Sequence, residues 1–159
     1  GYTEILMEYS EVLFFLSEAN GWSQSYYEQG VRASLEKWNI DSAKINAFVA
    51  ALPPANKQNV LTQKYVSLFM QPFEAWAEYR RTGYPNTLLL PGQSAALNVA
   101  TASGQTTYTF TSLIADLTDL PTRIYYPTTV QTLNTDNYKA ASTAIGGDKM
   151  NTKLILDKN

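Results

Sequence analysis

Apolar residues recur at helical spacing through the first half of the chain and lose that rhythm after Pro85. In "GYTEILMEYSEVLFFLSEAN", Glu4, Glu8, Glu11 and Glu18 fall on one helical stripe, with Phe15 its only apolar member. Ile5, Leu6, Tyr9, Leu13 and Leu16 cover the opposite side, and Met7, Val12 and Phe14 widen it. Thr3 is a candidate N-cap and Asn20-Gly21 a candidate stop, so the pattern predicts a helix entered almost at once. So broad an apolar arc calls for neighbours on more than one side. The expectation is that residues 1–159 are the later part of a longer protein whose remaining portion covers some of that arc.

Three further amphipathic segments follow. "SQSYYEQGVRASLEKWNI" places Tyr27, Val31, Leu35 and Trp38 on one stripe, with Gly30 and Ser34 permitting close approach of a neighbour. Glu28, Arg32 and Glu36 stand at i, i+4 spacing on the wet side. In "DSAKINAFVAALPP", Ile45, Phe48, Val49 and Leu52 are apolar and Pro53-Pro54 ends the helix. "NKQNVLTQKYVSLFM" repeats the period with Val60, Leu61, Tyr65, Leu68 and Phe69. Short connections between such helices favour antiparallel neighbours, as in a helical bundle or an array of helix pairs.

The fifth segment, "PFEAWAEYRRTGYP", carries its own punctuation. Pro72 suits the first helical position, Gly83 the left-handed position after the last turn, and Pro85 forbids continuation. Glu74 lies near the positive end of the helix dipole, Arg80 and Arg81 near the negative end. Phe73, Trp76, Ala77 and Arg80 share one face; Glu74, Glu78 and Arg81 share another. The expectation is a helix from Pro72 to Thr82 with Trp76 as its buried anchor, worth ~3–5 kcal/mol on truncation to Ala.

After Pro85 the chain becomes rich in Thr, Ser, Ala and Gly, and "TTYTFTS" alternates as a short strand or hairpin would. Pro121 and Pro127 pin an extended segment, and Asp136 is a candidate N-cap for a brief helix from about Asn137 to Gly146-Gly147. The predicted fold is therefore mainly α: a helical bundle or tetratricopeptide-like helix pairs over 1–84, a Thr/Ser-rich loop insertion over 85–120, and an ordered C-terminal segment over 121–159. The loop-rich second half carries one short β element.

Composition narrows the chemistry. The chain has no Cys and no His, which removes thiolate chemistry, cysteine-ligated zinc, the usual triad base and the commonest transition-metal ligand. A net charge of −2 gives no electrostatic reason to expect nucleic acid. Asp116, Asp119 and Asp148 lack the tight spacing of a calcium loop, and no phosphate-cradling glycine motif is present, so no metal and no cofactor are expected. Glu74 and Glu78 superficially resemble a glycosidase pair. Such pairs flank substrate across a cleft at ~5–9.5 Å and come from separate elements, whereas two glutamates one turn apart with arginines nearby are more simply salt-bridge partners.

Six stretches, "YSEVLFFLSEA", "YYEQGVRASLEKW", "TQKYVSLF", "FEAWAEYRRTGYP", "PTRIYYP" and "NYKAA", occur in the order found near the C-terminus of the SusD/RagB family, and the chain resembles that family over most of its length outside roughly Leu88–Leu120. The family often closes on a Trp-Trp-Asp-type ending; here that position reads Ile155-Leu156-Asp157. The resemblance implies a non-catalytic, lipid-anchored protein on the cell-surface side of the outer membrane. It implies tetratricopeptide-like helix pairs, a SusC-like TonB-dependent transporter as partner, and an oligosaccharide ligand. Attachment to the membrane would be through an N-terminal lipid outside this chain.

Sugar capture needs aromatic faces for the C–H side of a pyranose and nearby polar groups for its hydroxyls. Three Trp, eleven Tyr and six Phe are available. Trp38, Trp76, Tyr27, Tyr65, Phe48 and Phe69 sit on apolar stripes and read as core. Trp22, in the turn after Gly21, and Tyr26 are candidate ligand contacts, with Trp22 packing back on its own helices as the alternative. Tyr108 and Phe110, in the Thr-rich insertion, are the other candidates, against local packing or a partner contact. A helical protein–protein scaffold without its own ligand is the second reading, and a glycoside hydrolase fragment the third.

Overall fold

The computed structural model describes residues 5–115 and 117–157, the side chain of Leu156 excepted. The chain divides into two units, Gly1–Thr87 and Leu88–Asn159. Among the described residues the first holds five helices: α1 (Tyr9–Ala19), α2 (Gln24–Lys37), α3 (Ser42–Ala50), α4 (Lys57–Ser67) and α5 (Pro72–Thr82). α1 packs against α2 and α4, α2 also against α3 and α4, and α4 against α5. Phe14, Tyr27, Val31 and Val60 form the buried centre, with Trp22, Leu35, Val49, Leu52 and Ala55 packed around it.

Local chemistry accounts for most of the helix ends. Asp41 accepts from the N–H groups of Ala43 and Lys44 and caps α3; Asn56 accepts from the Asn59 N–H and caps α4. Pro72 opens α5 and Gly83, at φ +73°, closes it. Between α1 and α2 the buried Ser17 gathers the turn: its carbonyl accepts from the Trp22 and Ser23 N–H groups at 2.7 and 3.0 Å, and its hydroxyl donates to the Ser23 carbonyl at 2.9 Å. Gly30 faces α1 so closely that a Cβ there would lie 3.0–3.2 Å from the Phe14 ring.

Four expectations for this unit need correction. α1 begins at Tyr9 rather than near the chain start; residues 5–8 are not helical, and Thr3 and Glu4 lie outside the described residues. The buried face of α1 is Ser10, Leu13, Phe14 and Ser17 together with Glu11, while Tyr9 and Leu16 are exposed. Two serines at i, i+7 let the neighbouring helices approach, and Glu11 tolerates burial because the Lys64 cation lies nearby. On α5, Glu78 and Tyr79 point inward while Phe73 is exposed and Trp76 half-buried, the reverse of the expected anchor. Trp38, Phe48 and Phe69, read as core from their spacing, are also exposed.

In the second unit β1 (Ser94–Ala96) pairs antiparallel with β2 (Thr107–Thr109), Ala95 opposite Tyr108. The ladder continues irregularly as the Phe110 N–H donates to the Gln93 carbonyl and the Gly92 N–H to the Phe110 carbonyl. α6 (Thr128–Leu133) and α7 (Thr135–Ile145) pack together, and a short 3₁₀ turn spans Ile155–Asp157. α6 was not foreseen: Pro127 ends the extended run by preceding a helix, whose polar sequence TTVQTL buries none of its residues and so carries no apolar period. α7 starts at Thr135 with Asn134 in the cap position, so Asp136 is a first-turn residue rather than the N-cap; Gly146, at φ +89°, ends it as expected.

Candidate ligand-binding surface

Trp22 adopts a left-handed backbone (φ +66°) and its ring rests against the Phe14–Tyr27–Val31–Val60 centre. Trp22 is accordingly half-buried. Tyr26 is half-buried on the first turns of α2. In the second unit Tyr108 stands exposed on β2 and Phe110 is half-buried just beyond it. The structure thus puts Tyr108 on β2 with Phe110 just past its end, and Trp22 in the turn before α2 with Tyr26 in that helix.

Periodicity missed the ion-pair network of the first unit. The Lys64 side chain is 1% exposed; its ammonium lies 2.9 Å from Glu78 Oε2 and 3.3 Å from the centre of the Phe15 ring. Burial pushes Lys64 down, with Glu78 opposing that shift, and burial pushes Glu11 up. Arg81 joins the same Glu78 at 2.7 Å and clasps Glu18 with two bonds of 2.8 and 2.6 Å. Those bonds hold Glu18 below the usual carboxylate range and Arg81 above its own. Glu78 is consumed by two cations, and Glu74 is exposed on the same helix. They form no opposed pair of carboxylates across a cleft.

The second unit has a comparable hub around Asp148. Its Oδ1 meets the Arg123 guanidinium at 2.9 Å and accepts from the Tyr126 N–H; its Oδ2 accepts from the Tyr138 hydroxyl and the Gln131 amide. Arg123 also stacks over the Tyr126 ring at 4.5 Å. Thr122 ties this segment to the following one, its N–H and hydroxyl both donating to the Met150 carbonyl. Beside the hub is a cleft of about 190 Å³ walled by Tyr125, Lys149 and Asn151, and a second of about 340 Å³ is walled by Phe110, Ser112 and Thr118. Ile114, Ala115 and Leu117 border both.

A different surface lies in the first unit. Tyr65, Val66, Phe69 and Met70 with Pro72 and Ala75 line an apolar groove of about 730 Å³. Trp38 meets Phe69 edge-on at 5.5 Å beside it. Among the described residues no group of three or more acidic side chains could hold a metal ion, and no helix is long and apolar enough to cross a membrane. Asp116 lies outside the described residues.

Comparison with known proteins places these features in context. Residues 2–109 match the model of the SusD-like family described as starch-binding and associating with the outer membrane. The fold is similar to that of a Bacteroidetes AC2a SusD-like protein, with a TM-score of 0.74 and 29% identity over 98% of this chain and 30% of the other. It is likewise similar to a chitin-binding protein, with a TM-score of 0.70 and 28% identity over 95% of this chain and 33% of the other. The chain spans about a third of the length of these solved relatives. No curated protein sequence matches it.

Proposed function

We propose, because this chain belongs to the SusD-like family, that it is the C-terminal portion of a non-catalytic glycan-capture protein on the cell-surface side of the outer membrane. The full protein is held there by an N-terminal lipid and passes oligosaccharides to a SusC-like TonB-dependent transporter. The observation that carries this reading is the family match over residues 2–109, in a family described as starch-binding. Likeness to a chitin-binding protein over 95% of the chain supports the same ligand class. Catalysis finds no support in the acidic groups, since Glu78 is neutralised by Lys64 and Arg81. Trp22, Tyr26, Tyr108 and Phe110 are the proposed aromatic contacts.

The test is sedimentation of the chain with insoluble starch and with chitin, while new reducing ends are assayed in the same tubes. Retention on either polysaccharide without release of sugar is the expected result. Free protein in the supernatant of both, or progressive release of reducing sugar, would overturn it.

A second reading, a helical scaffold that docks on a protein, is favoured by the apolar groove beside α4 and α5. It accommodates the transporter partnership without a ligand of its own. Cross-linking through a cysteine introduced at Phe69, which lines that groove and is 62% exposed, would join this face to an outer-membrane β-barrel protein in cells if that reading holds.

A further inference from the structure

We propose that the two adjoining clefts of the second unit form one furrow that binds a short neutral oligosaccharide, with Phe110 and Tyr125 as its two stacking platforms. The inference rests on the glycan-capture reading and gives it a place on the molecule. Both clefts are bordered by Ile114, Ala115 and Leu117, so they share that segment as a common wall. At about 190 and 340 Å³ they fall at or below the small end of ligand sites, ~300–1,000 Å³, which suits one sugar ring or two in each rather than a large folded ligand.

The lining has the chemistry a sugar requires. Phe110 borders one cleft and Tyr125, 42% exposed, borders the other, each able to offer an apolar ring to a pyranose face. Thr111, Ser112 and Thr118 bring hydroxyls to the first, and Asn151 brings an amide to the second. Charge is sparse. Among the described wall residues, Asp148 is neutralised by Arg123 and Lys149 is the remaining charged side chain. A neutral ligand fits that balance better than a polyanion.

The walls are also held before any ligand arrives, which limits the ordering cost of binding. Asp148 accepts from Tyr126 directly after Tyr125, and the Met150 carbonyl accepts from Thr122, so the Tyr125 segment and the Lys149–Asn151 segment are clamped together. Across the furrow, Phe110 is held by its two backbone bonds to Gly92 and Gln93. The Ser112 hydroxyl donates to the Ile114 carbonyl and accepts from the Ile114 N–H, fixing the shared border.

Calorimetric titration of maltotriose and of chitotriose into the chain tests this, using Tyr125→Ala, Phe110→Ala and, as a control in the other unit, Phe73→Ala. Loss of one stacking platform is expected to weaken binding by about tenfold, with Phe73→Ala unchanged. Binding by wild type that both furrow variants retain in full would overturn the furrow and leave the glycan reading intact. Absence of binding by wild type to either sugar would instead overturn the glycan reading itself, and the furrow with it. Should either furrow variant fail to fold, amide chemical shifts of the wild type on adding trisaccharide decide. Shifts centred on Gly92, Thr118 and Asn151 support the furrow, and shifts centred on Trp22 and Tyr26 overturn it.

Discussion

Lys64 carries a positive charge into the middle of a helical unit, where its side chain is 1% exposed. Its ammonium is tolerated there because Glu78 and the face of Phe15 replace the water it has lost. Replacing Lys64 with Met should leave Glu78 buried with only Arg81, and the cost should be about 3 kcal/mol, near the lower end of what breaking a buried pair entails. Lys64→Met/Glu78→Gln should recover most of that loss. Urea melts of the four proteins in the cycle check it, and additive losses would contradict the pairing.

Glu18 makes the opposite prediction testable with pH. Arg81 holds its folded pKa below the ordinary value of 4.5, so between the two values the unfolded chain binds more protons than the folded one. The contribution is therefore fully present above about pH 4.5 and is lost as the pH falls through the lower folded value. Glu11 has the reverse sign. Burial raises its pKa, so its ionisation costs stability as the pH rises from 4.5 through the folded value. Melting temperatures from pH 7 to 3 should fall less steeply in Glu18→Gln than in wild type, and more steeply in Glu11→Gln. Parallel curves would show that neither carboxylate is placed as described.

At the scale of elements, punctuation was legible and orientation was not. Pro72, Gly83, Pro53-Pro54 and Gly146 announce helix ends whatever surrounds them, because they act through their own backbone. A hydrophobic stripe says only that some face is apolar. On α1 and α5 the inward face includes Glu11 and Glu78, and a partner from another helix, Lys64, makes that possible. Nothing local to α1 or α5 records that partner. Gly30 was readable for the complementary reason, since a small residue on an apolar stripe signals close approach. Gly→Ala in a helix ordinarily stabilises by ~0.5–1 kcal/mol. Here the new methyl would press on Phe14, itself locked among Tyr27, Val31 and Val60, so Gly30→Ala should destabilise by about 1 kcal/mol or more. A raised melting temperature would contradict the packing of α1 on α2.

The candidate site divides in the same way. Tyr108 and Phe110 stood out in an alternating Thr-rich run, and the structure sets Tyr108 on β2 and Phe110 just past its end. Tyr125 did not stand out, because what aims it at a cleft is the Asp148 hub, assembled from Arg123, Tyr126, Gln131 and Tyr138 across 16 positions of chain. Convergence of that kind leaves no mark in spacing. Family resemblance filled part of the gap, since six matched stretches in register carried the fold class that residue patterns alone left as a helical bundle or helix-pair array.

For the whole molecule, the charged side chains of the helical unit serve cohesion, and the proposed furrow belongs to the loop-rich one. The first unit commits Lys64, Glu78, Arg81 and Glu18 to one another and leaves an apolar groove outside. The second fixes a buried carboxylate in order to hold a mixed aromatic and hydroxyl-lined surface. That division fits the proposed capture of a glycan. The most direct test is a crystal structure of the chain grown with a maltose- or chitin-derived trisaccharide. The account predicts an intact sugar lying against Phe110 and Tyr125; a cleaved sugar, or a furrow left empty while sugar binds elsewhere on the chain, would contradict it.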